Sequence, residues 1–252
     1  MGDLAIQRAL ITGGGSGVGA VMARMLADAG VKVAVSGRRV DVLDAVAHHE
    51  NITAIAADVT DEASVRNMFA TMVDTIGVPD LVIANAGMAE SAPIGKTSVD
   101  LWRRTIDVNL TGTFLTFREG LAVMDKTKPG RLISIASTAG LKGYAYVTAY
   151  CAAKHGVVGL IKGMAVELAN SPITVNAVCP GFMETPMLEK SVDNIVAKTG
   201  MSHDQARASL AKINPQNRFI QPDEVANTVM WLCSANARSI TGQTISVSGG
   251  EA

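Results

Sequence analysis

The stretch RALITGGGSGVGAVMARMLADAG, residues 8–30, begins with a short apolar, β-branched run and ends with the apolar spacing of a helix. Between them lies TGGGSGVG (12–19), where glycines permit a tight turn and a helix start offers free N–H groups and a positive dipole end. Such a turn can be no more than a sharp strand–helix connection. At the first junction of this kind in a chain, however, it predicts a binding site for a dinucleotide pyrophosphate.

The rest of the chain repeats the same alternation of short apolar runs and longer amphipathic stretches. The runs that predict strands are residues 8–12, 31–36, 52–57, 81–86, 131–137, 173–178 and 244–248. Amphipathic helices are predicted at residues 18–30, 63–77, 101–124 and about 149–169, and Gly30 and Gly77 are expected to end two of them. Nearly uniform apolar strands are typical of a parallel sheet that is buried on both faces. We therefore predict an α/β fold, a Rossmann-like doubly wound sheet of seven parallel strands, in a single domain over residues 1–252.

One insertion, at about residues 184–217, interrupts this alternation near the end of a strand. It contains two weakly helical pieces, residues 187–200 and 202–213, whose apolar positions form one face. We expect a helical lid over the substrate site, because a short helix pair cannot bury that face alone. The alternative is a permanently packed insertion that supports a subunit interface.

Composition limits the possible partners. Hydrophobic residues make up 48% of the chain, and the net charge of −1 provides no field that attracts nucleic acid or an anionic membrane. The three cysteines and four histidines form no ligand pattern, so we expect no metal site and free thiols in a reducing compartment. The N-terminus lacks a signal-peptide pattern, and no apolar run approaches the roughly 18 residues of a membrane span. These features predict a cytoplasmic protein.

The residues after the second predicted strand bear on the choice of dinucleotide. NAD-binding proteins usually carry a carboxylate at this point, but here SGRR (36–39) provides Gly37, Arg38 and Arg39. A guanidinium suits a 2′-phosphate, so Arg38 favours NADP(H), with NAD(H) as the alternative. Arg39 is interpreted as a solvated residue at a helix start.

Tyr150 and Lys154 are four residues apart and share one face of a predicted helix. A phenol has a pKa near ~10, and a neighbouring ammonium favours its ionised form, which suits acid–base chemistry. Ser137, at the end of the fifth predicted strand, could donate a hydrogen bond to a substrate oxygen shared with Tyr150. Tyr144 and Tyr146 follow Ser137 and are expected either in a pocket wall or in a subunit contact.

The whole chain resembles the short-chain dehydrogenase/reductase family. The matching motifs, in the family's order, are TGGGSGVG (12–19), DVT (58–60), ANAG (84–87), VNLTG (108–112), Ser137, YCAAK (150–154) and PG (180–181). The chain departs from the family pattern at Ala84, Ala153 and Ser248. The resemblance implies hydride transfer between a nicotinamide cofactor and a ketone or alcohol, usually in a homotetramer.

The resemblance also implies roles for individual residues. Ser137 would polarise the substrate oxygen, Tyr150 would be the acid or base, Lys154 would lower the pKa of Tyr150 and hold a ribose, and Asn109 would hold a water that leads protons to Lys154. The implied cofactor site comprises Gly13, Ser16, Gly17, Val18, Gly19, Arg38, Asp58, Val59, Asn85, Ala86, Gly87, Tyr150, Lys154, Pro180, Gly181 and Thr185. The implied substrate pocket comprises Ser137, Ala139, Tyr144, Tyr150, Phe182 and Met187.

Two groups within the family leave the substrate open. Residues 154–187 are similar to aromatic-polyketide ketoreductases and 3-oxoacyl-thioester reductases, whereas the lid is similar to that of 3-hydroxybutyrate dehydrogenases. The leading hypothesis is an NADP(H)-dependent reductase of small 3-oxoacyl compounds, including acyl thioesters. The rival is an NAD-dependent dehydrogenase of a small hydroxy acid or secondary alcohol. A binding protein without chemistry, such as a redox sensor, would be free to lose Asn109, Ser137, Tyr150 and Lys154, yet all four are present.

Overall fold

The computed structural model describes residues 4–252 and contains a seven-stranded sheet in which every pair of neighbouring strands is parallel. The strands are Arg8–Thr12 (β1), Lys32–Gly37 (β2), Ile52–Ala56 (β3), Leu81–Ala84 (β4), Gly130–Ile135 (β5), Ile173–Pro180 (β6) and Thr244–Val247 (β7). Their order across the sheet is β3-β2-β1-β4-β5-β6-β7. The predicted doubly wound parallel sheet is therefore confirmed.

Helices cover both faces of the sheet. They are Gly17–Asp28 (α1), Val40–Asp44 (α2), Glu62–Thr75 (α3), Val99–Ile106 (α4), Gly112–Val123 (α5), Thr148–Glu167 (α6), Pro186–Thr199 (α7), His203–Ala211 (α8) and Pro222–Leu232 (α9). Gly30 and Gly77 follow α1 and α3 with φ angles of +85° and +98°, so both predicted helix ends are confirmed. The short helix α2 was not predicted, because five residues are too few to give a periodic pattern.

The sheet has a hydrophobic core on each face, because successive strand residues point in opposite directions. Leu10 of β1 belongs to the core with Phe69 of α3 and Phe117 of α5. Ile11, the next residue, belongs to the opposite core with Leu26 of α1 and other side chains of α1 and α9. Every side chain named here is fully buried or nearly so, which explains the almost uniformly apolar strands.

The helix predicted over residues 101–124 is interrupted by a wider π-helical turn at Asp107–Thr111, between α4 and α5. The side chain of Asn109 explains this turn, because its Nδ2 donates to the carbonyl oxygen of Thr105 at 2.9 Å. In a regular helix the backbone N–H of residue 109 would take that carbonyl. A side-chain donor that competes for a backbone acceptor in this way favours local departures from the α-helix.

Helices α7 and α8 form the predicted insertion after β6, and they are joined by Gly200 in a left-handed conformation with φ +73°. Part of their apolar face forms a small cluster of its own, in which Leu188 and Val192 pack against Ala206 and Phe219. Arg207 of α8 forms ion pairs with Glu184 and Glu189 and joins the two helices further. Part of the apolar face is thus packed between the two helices and Phe219, which lies outside the insertion, and the role of the pair as a lid stays a prediction.

None of the helices in the described residues is long and apolar enough to cross a membrane.

Candidate functional site

The glycine-rich turn between β1 and α1 depends on the absence of side chains. Gly13 and Gly17 have φ angles of +65° and +53°, a region that residues with a Cβ rarely adopt. A Cβ at Gly19 would lie 2.4 Å from the carbonyl oxygen of Gly13, so a larger residue would displace the turn. The first turn of α1 carries no acidic side chain, and the side chain of Ser16 at its N-cap makes no capping hydrogen bond. The N–H groups at this helix start are thus available to an anion.

Asn85 holds this turn against the end of β4. Its Nδ2 donates to the carbonyl oxygens of Thr12 and Gly13 at 2.9 Å and 3.0 Å. The hydroxyl of Thr12 in return accepts hydrogen bonds from the backbone N–H groups of Asn85 and Ala86. Asn85 therefore stabilises the glycine turn, and it also faces the cleft.

A first cavity of about 310 Å³ runs along the carboxyl ends of the strands. Of the predicted cofactor residues, those that line it are Gly13, Ser16, Gly17, Val18, Arg38, Asp58, Val59, Asn85, Ala86, Gly87, Tyr150, Lys154 and Thr185. Gly19 lies behind the turn, and Pro180 and Gly181 line a second cavity instead. Three residues that the sequence did not single out also line the first cavity, namely Ser36, Ala57 and Ala136. They lie at or just after strand ends, and that position is the sequence signal that could have identified them.

Arg38 and Asp58 face each other at one end of the first cavity. The Arg38 Nη1 and Asp58 Oδ2 atoms are 3.8 Å apart, and the Arg38 side chain is 72% exposed. Burial acts to raise the pKa of Asp58, but hydrogen bonds from Thr60 and the charge of Arg38 hold it below the usual value. An exposed pair of this kind contributes about 0–1 kcal/mol, so Arg38 can turn toward another anion at little cost.

Lys154 lies at the other end of the first cavity, on the same face of α6 as Tyr150. Its Nζ is 5.6 Å from the centre of the Tyr150 ring and donates to the carbonyl oxygen of Ile135 at 2.9 Å. The residue is only 4% exposed. Burial lowers the pKa of Lys154 to about 8, because the charged ammonium has left water.

Tyr150 interacts with Ser137. Burial raises the pKa of the phenol to about 12, although hydrogen bonding with the Ser137 side chain acts in the opposite direction. The pKa of Tyr150 is therefore raised overall, whereas the family resemblance implies that Lys154 lowers it. Ser137 Oγ accepts from the backbone N–H of Ala139 at 3.0 Å, so the serine can donate its own proton to Tyr150 or to a substrate oxygen.

Asn109 is fully buried beside the π-helical turn. Its Nδ2 also donates to the carbonyl oxygen of Met88 at 2.9 Å, and its Oδ1 accepts from the Met88 N–H at 3.2 Å. Gly87 separates this amide from the lysine: a Cβ built on Gly87 would lie 3.0 Å from Asn109 Oδ1 and 3.9 Å from Lys154 Nζ. The missing side chain thus leaves a narrow passage between Asn109 and Lys154.

A second cavity, of about 350 Å³, meets the first at Tyr150. All six predicted pocket residues line it, namely Ser137, Ala139, Tyr144, Tyr150, Phe182 and Met187. Ile195, Leu210 and Ile213 of the insertion close one side, and Tyr146 lies at the wall as well. Ser91 and Ser191 were not singled out from the sequence, since isolated serines give no signal. Among the residues that the structure describes, this cavity has no Lys, Arg, His, Asp or Glu in its lining.

Within residues 4–252, no three His, Cys, Asp or Glu side chains are grouped as metal ligands would be.

Comparison with known proteins identifies the family. A family model described as enoyl-(acyl carrier protein) reductase matches residues 13–251. The D-beta-hydroxybutyrate dehydrogenase of Rhizobium meliloti (strain 1021) is 36% identical over 250 residues, which are 96% of this chain and 97% of that protein. The granaticin polyketide synthase putative ketoacyl reductase 1 of Streptomyces violaceoruber is 36% identical over 249 residues, 96% of this chain and 92% of the relative.

A solved structure extends this likeness to three dimensions. A crystal structure of a variant actinorhodin polyketide ketoreductase with NADPH superimposes with a TM-score of 0.94 at 32% identity and covers 100% of this chain and 99% of that one. Fold and comparisons together define a Rossmann-like oxidoreductase. The chain belongs to the short-chain dehydrogenase/reductase family, as the resemblance in its motifs predicted.

Proposed function

We propose that the protein is an NADP(H)-dependent reductase of uncharged 3-oxoacyl compounds, such as 3-oxoacyl thioesters. The observation that carries the proposal is the position of Tyr150, where the two cavities meet, with Ser137 and Lys154 beside it. A carbonyl carbon in the second cavity would then be next to a hydride donor in the first. The homotetramer that the resemblance implies and the cytoplasmic location that the sequence features predict belong to the same proposal.

The first cavity fits a nicotinamide dinucleotide. Glycine at positions 13 and 19 keeps the turn tight against Asn85, and the start of α1 offers N–H groups to the charge of a pyrophosphate. Arg38 lies at the adenosine end of the expected orientation, and Lys154 lies at the nicotinamide end. When bound, the cofactor supplies or accepts the hydride.

The residues around Tyr150 would handle the proton and orient the substrate. Ser137, with a free proton, would donate a hydrogen bond to the carbonyl oxygen, and Tyr150 would give that oxygen its proton. The buried ammonium of Lys154 would bind ribose hydroxyls and stabilise negative charge on the Tyr150 oxygen. The passage at Gly87 would let Asn109 Oδ1 hold a water that returns a proton toward Lys154.

The uncharged lining of the second cavity bears on the substrate class. A hydroxy acid with a free carboxylate would bury its charge there without a cation among the described lining residues. Burying an unpaired carboxylate costs several kcal/mol. A thioester is neutral near the reacting carbon and avoids this cost. The lining therefore favours the 3-oxoacyl thioester over the hydroxy-acid alternative.

Replacing Tyr150 tests the proposed proton donor. We expect Tyr150→Phe to lower kcat for acetoacetyl-CoA reduction by about two to four orders of magnitude, because the transferable proton is lost. The Kd for NADPH, measured by fluorescence titration, should stay within about twofold of the original. Tyr146→Phe is the matched control, since it makes the same change at the wall of the same cavity and should retain most of kcat.

A substantial residual kcat in Tyr150→Phe would contradict the assignment. The same assay should include crotonyl-CoA and 3-hydroxybutyrate. Preferred reduction of the enoyl thioester, or preferred oxidation of the free acid, would reject the proposed substrate class.

The raised pKa of Tyr150 predicts how the two reaction directions depend on pH. Ketone reduction takes up one proton, so the ratio of kcat/KM for reduction to kcat/KM for oxidation must fall about tenfold per pH unit. With a pKa of about 12, Tyr150 remains protonated at neutral pH, and its proton-accepting form increases with pH. Between about pH 6 and the pKa of Lys154 at about 8, kcat/KM for reduction should be constant and kcat/KM for oxidation should rise. If kcat/KM for oxidation were constant over this pH range and kcat/KM for reduction fell, the pKa of Tyr150 would be low.

Arg38 is expected to set the cofactor preference. Arg38→Asp would place a second carboxylate beside Asp58 and repel a 2′-phosphate, so the Kd for NADPH should rise by at least about tenfold while NADH binding is kept or improved. Arg39→Asp makes the same charge change at the next residue and should have a smaller effect. Equal affinity of the unmodified protein for NADPH and NADH would instead favour the NAD-dependent alternative.

Helices α7 and α8 are proposed to close over the bound ligands. They contribute walls to the second cavity, and Asn194 of α7 donates a hydrogen bond to Ser91, which also lines it. We expect NADPH with a substrate analogue to slow amide hydrogen exchange in residues 186–211. Helix α3, which lines neither cavity, serves as the internal control. Equal exchange of α7 and α8 with and without ligands would indicate the permanently packed insertion.

A further inference from the structure

Glu251, which follows β7, is a buried carboxylate close to the second cavity but outside its lining. Its side chain is 1% exposed, and its Oε1 lies 3.1 Å from the Nζ of Lys142. The same Oε1 accepts a hydrogen bond from the hydroxyl of Tyr144, which does line the cavity. Its Oε2 is close to Gly181, where an added Cβ would come within 2.9 Å. Glu251 thus joins two loops that form the cavity wall.

The direction of the hydrogen bonds around Tyr144 follows from this contact. The Tyr144 hydroxyl donates its one proton to Oε1 of Glu251. The Tyr144 oxygen also lies 2.6 Å from the hydroxyl of Thr138, which must therefore donate to Tyr144. Burial, followed by the hydrogen bond to Glu251, raises the pKa of Tyr144, so its phenol stays protonated at neutral pH. The result is one directed chain from Thr138 through Tyr144 to Glu251.

This chain has two consequences for the neighbouring site. Thr138 donates its proton to Tyr144 and so has none for the substrate. The hydroxyl of its neighbour Ser137 remains available to a substrate oxygen. The ring of Tyr144 is also fixed, and it meets the ring of Phe182 edge to face at 6.0 Å between centres. Both rings line the second cavity. Lys142 balances the charge of Glu251 and lies 5.1 Å from the Tyr144 ring centre.

We propose that Glu251 is a positioning residue for the substrate side of the active site, acting through Tyr144. It fixes the Tyr144–Phe182 wall and keeps the Thr138 hydroxyl directed away from the substrate. This inference rests on the proposed function, because it assigns Ser137 as the donor to the substrate oxygen. Glu251 lines neither cavity and would act through Tyr144, which lines only the second. Its removal should therefore impair substrate binding without impairing cofactor binding.

The test compares variants of Glu251 and Tyr144 in acetoacetyl-CoA reduction. Glu251→Met removes the acceptor and should raise KM by up to about tenfold, because the Tyr144–Phe182 wall is no longer held in place, with kcat within about threefold. The Kd for NADPH should change by less than about twofold. Glu251→Gln keeps a carbonyl oxygen that can accept from Tyr144, and it should recover most of the lost affinity.

A double-mutant comparison separates positioning from general destabilisation. In a Tyr144→Phe background the chain is already broken, so adding Glu251→Met should raise KM by less than about twofold more. Glu119→Met is the matched control, because Glu119 is also a largely buried carboxylate, 14% exposed and paired with Arg118, and it lines neither cavity. Glu119→Met should lower thermal stability and leave KM unchanged.

Independent effects of Glu251→Met and Tyr144→Phe on KM, or an equal loss of NADPH affinity, would overturn the inference. If the unmodified protein reduces no thioester, the proposed function fails on its own account. The coupling between Tyr144 and Glu251 is then measured from the denaturant midpoints of the same four proteins. Additive shifts in those midpoints would overturn the inference, and coupled shifts would support the hydrogen-bond chain.

Discussion

The hydrogen bonds from Asn85 Nδ2 to the carbonyl oxygens of Thr12 and Gly13 connect the two strands on which the whole site depends. Between β1 and β4 the strand order reverses, so the connections that leave these strands run to opposite faces and open a crevice at their carboxyl ends. The hydrogen bonds of Asn85 keep the glycine turn tight and orient the start of α1 toward that crevice. A side chain at Gly19 would press on both Gly13 and Asn85, which explains why glycine is required behind the turn as well as in it.

Burial determines the chemistry at the far end of the crevice. The partial burial of Tyr150 and the nearly complete burial of Lys154 shift both pKa values toward the neutral forms, upward for the phenol and downward for the ammonium. A neutral phenol is a proton donor, so this environment suits carbonyl reduction at neutral pH better than alcohol oxidation. A cationic nicotinamide close to Tyr150 would favour the phenolate and oppose the effect of burial. In the proposed mechanism, the same pair of residues would therefore serve both directions, and the charge of the cofactor would set the protonation state of Tyr150.

The fold and the cofactor cleft could largely be predicted from the sequence, because they follow from local patterns. Apolar strand runs, glycines with positive φ and the spacing of Tyr150 and Lys154 are all visible in short stretches of chain. The π-helical turn at Asn109 could not be predicted in this way, since it arises when one side chain takes a carbonyl that the helix would use. Glu251 gave no signal either, because its partner Tyr144 is 107 residues away in the chain. The two helices of the insertion lie where the sequence predicts them, but how their apolar residues divide between their own cluster and the cavity depends on three-dimensional packing.

The second cavity has no charged lining residue among those described, yet two opposite charges lie directly behind its wall. Glu251 Oε1 and Lys142 Nζ are 3.1 Å apart, so each charge partly offsets the other. The pair would affect the cavity through geometry, because Glu251 holds the Tyr144 ring in place and Tyr144 accepts the proton of Thr138. In the proposed arrangement, the carboxylate would organise the wall from outside the cavity lining. It is consistent with selection by shape and by a single hydroxyl donor, Ser137, at the point where the substrate oxygen would meet Tyr150.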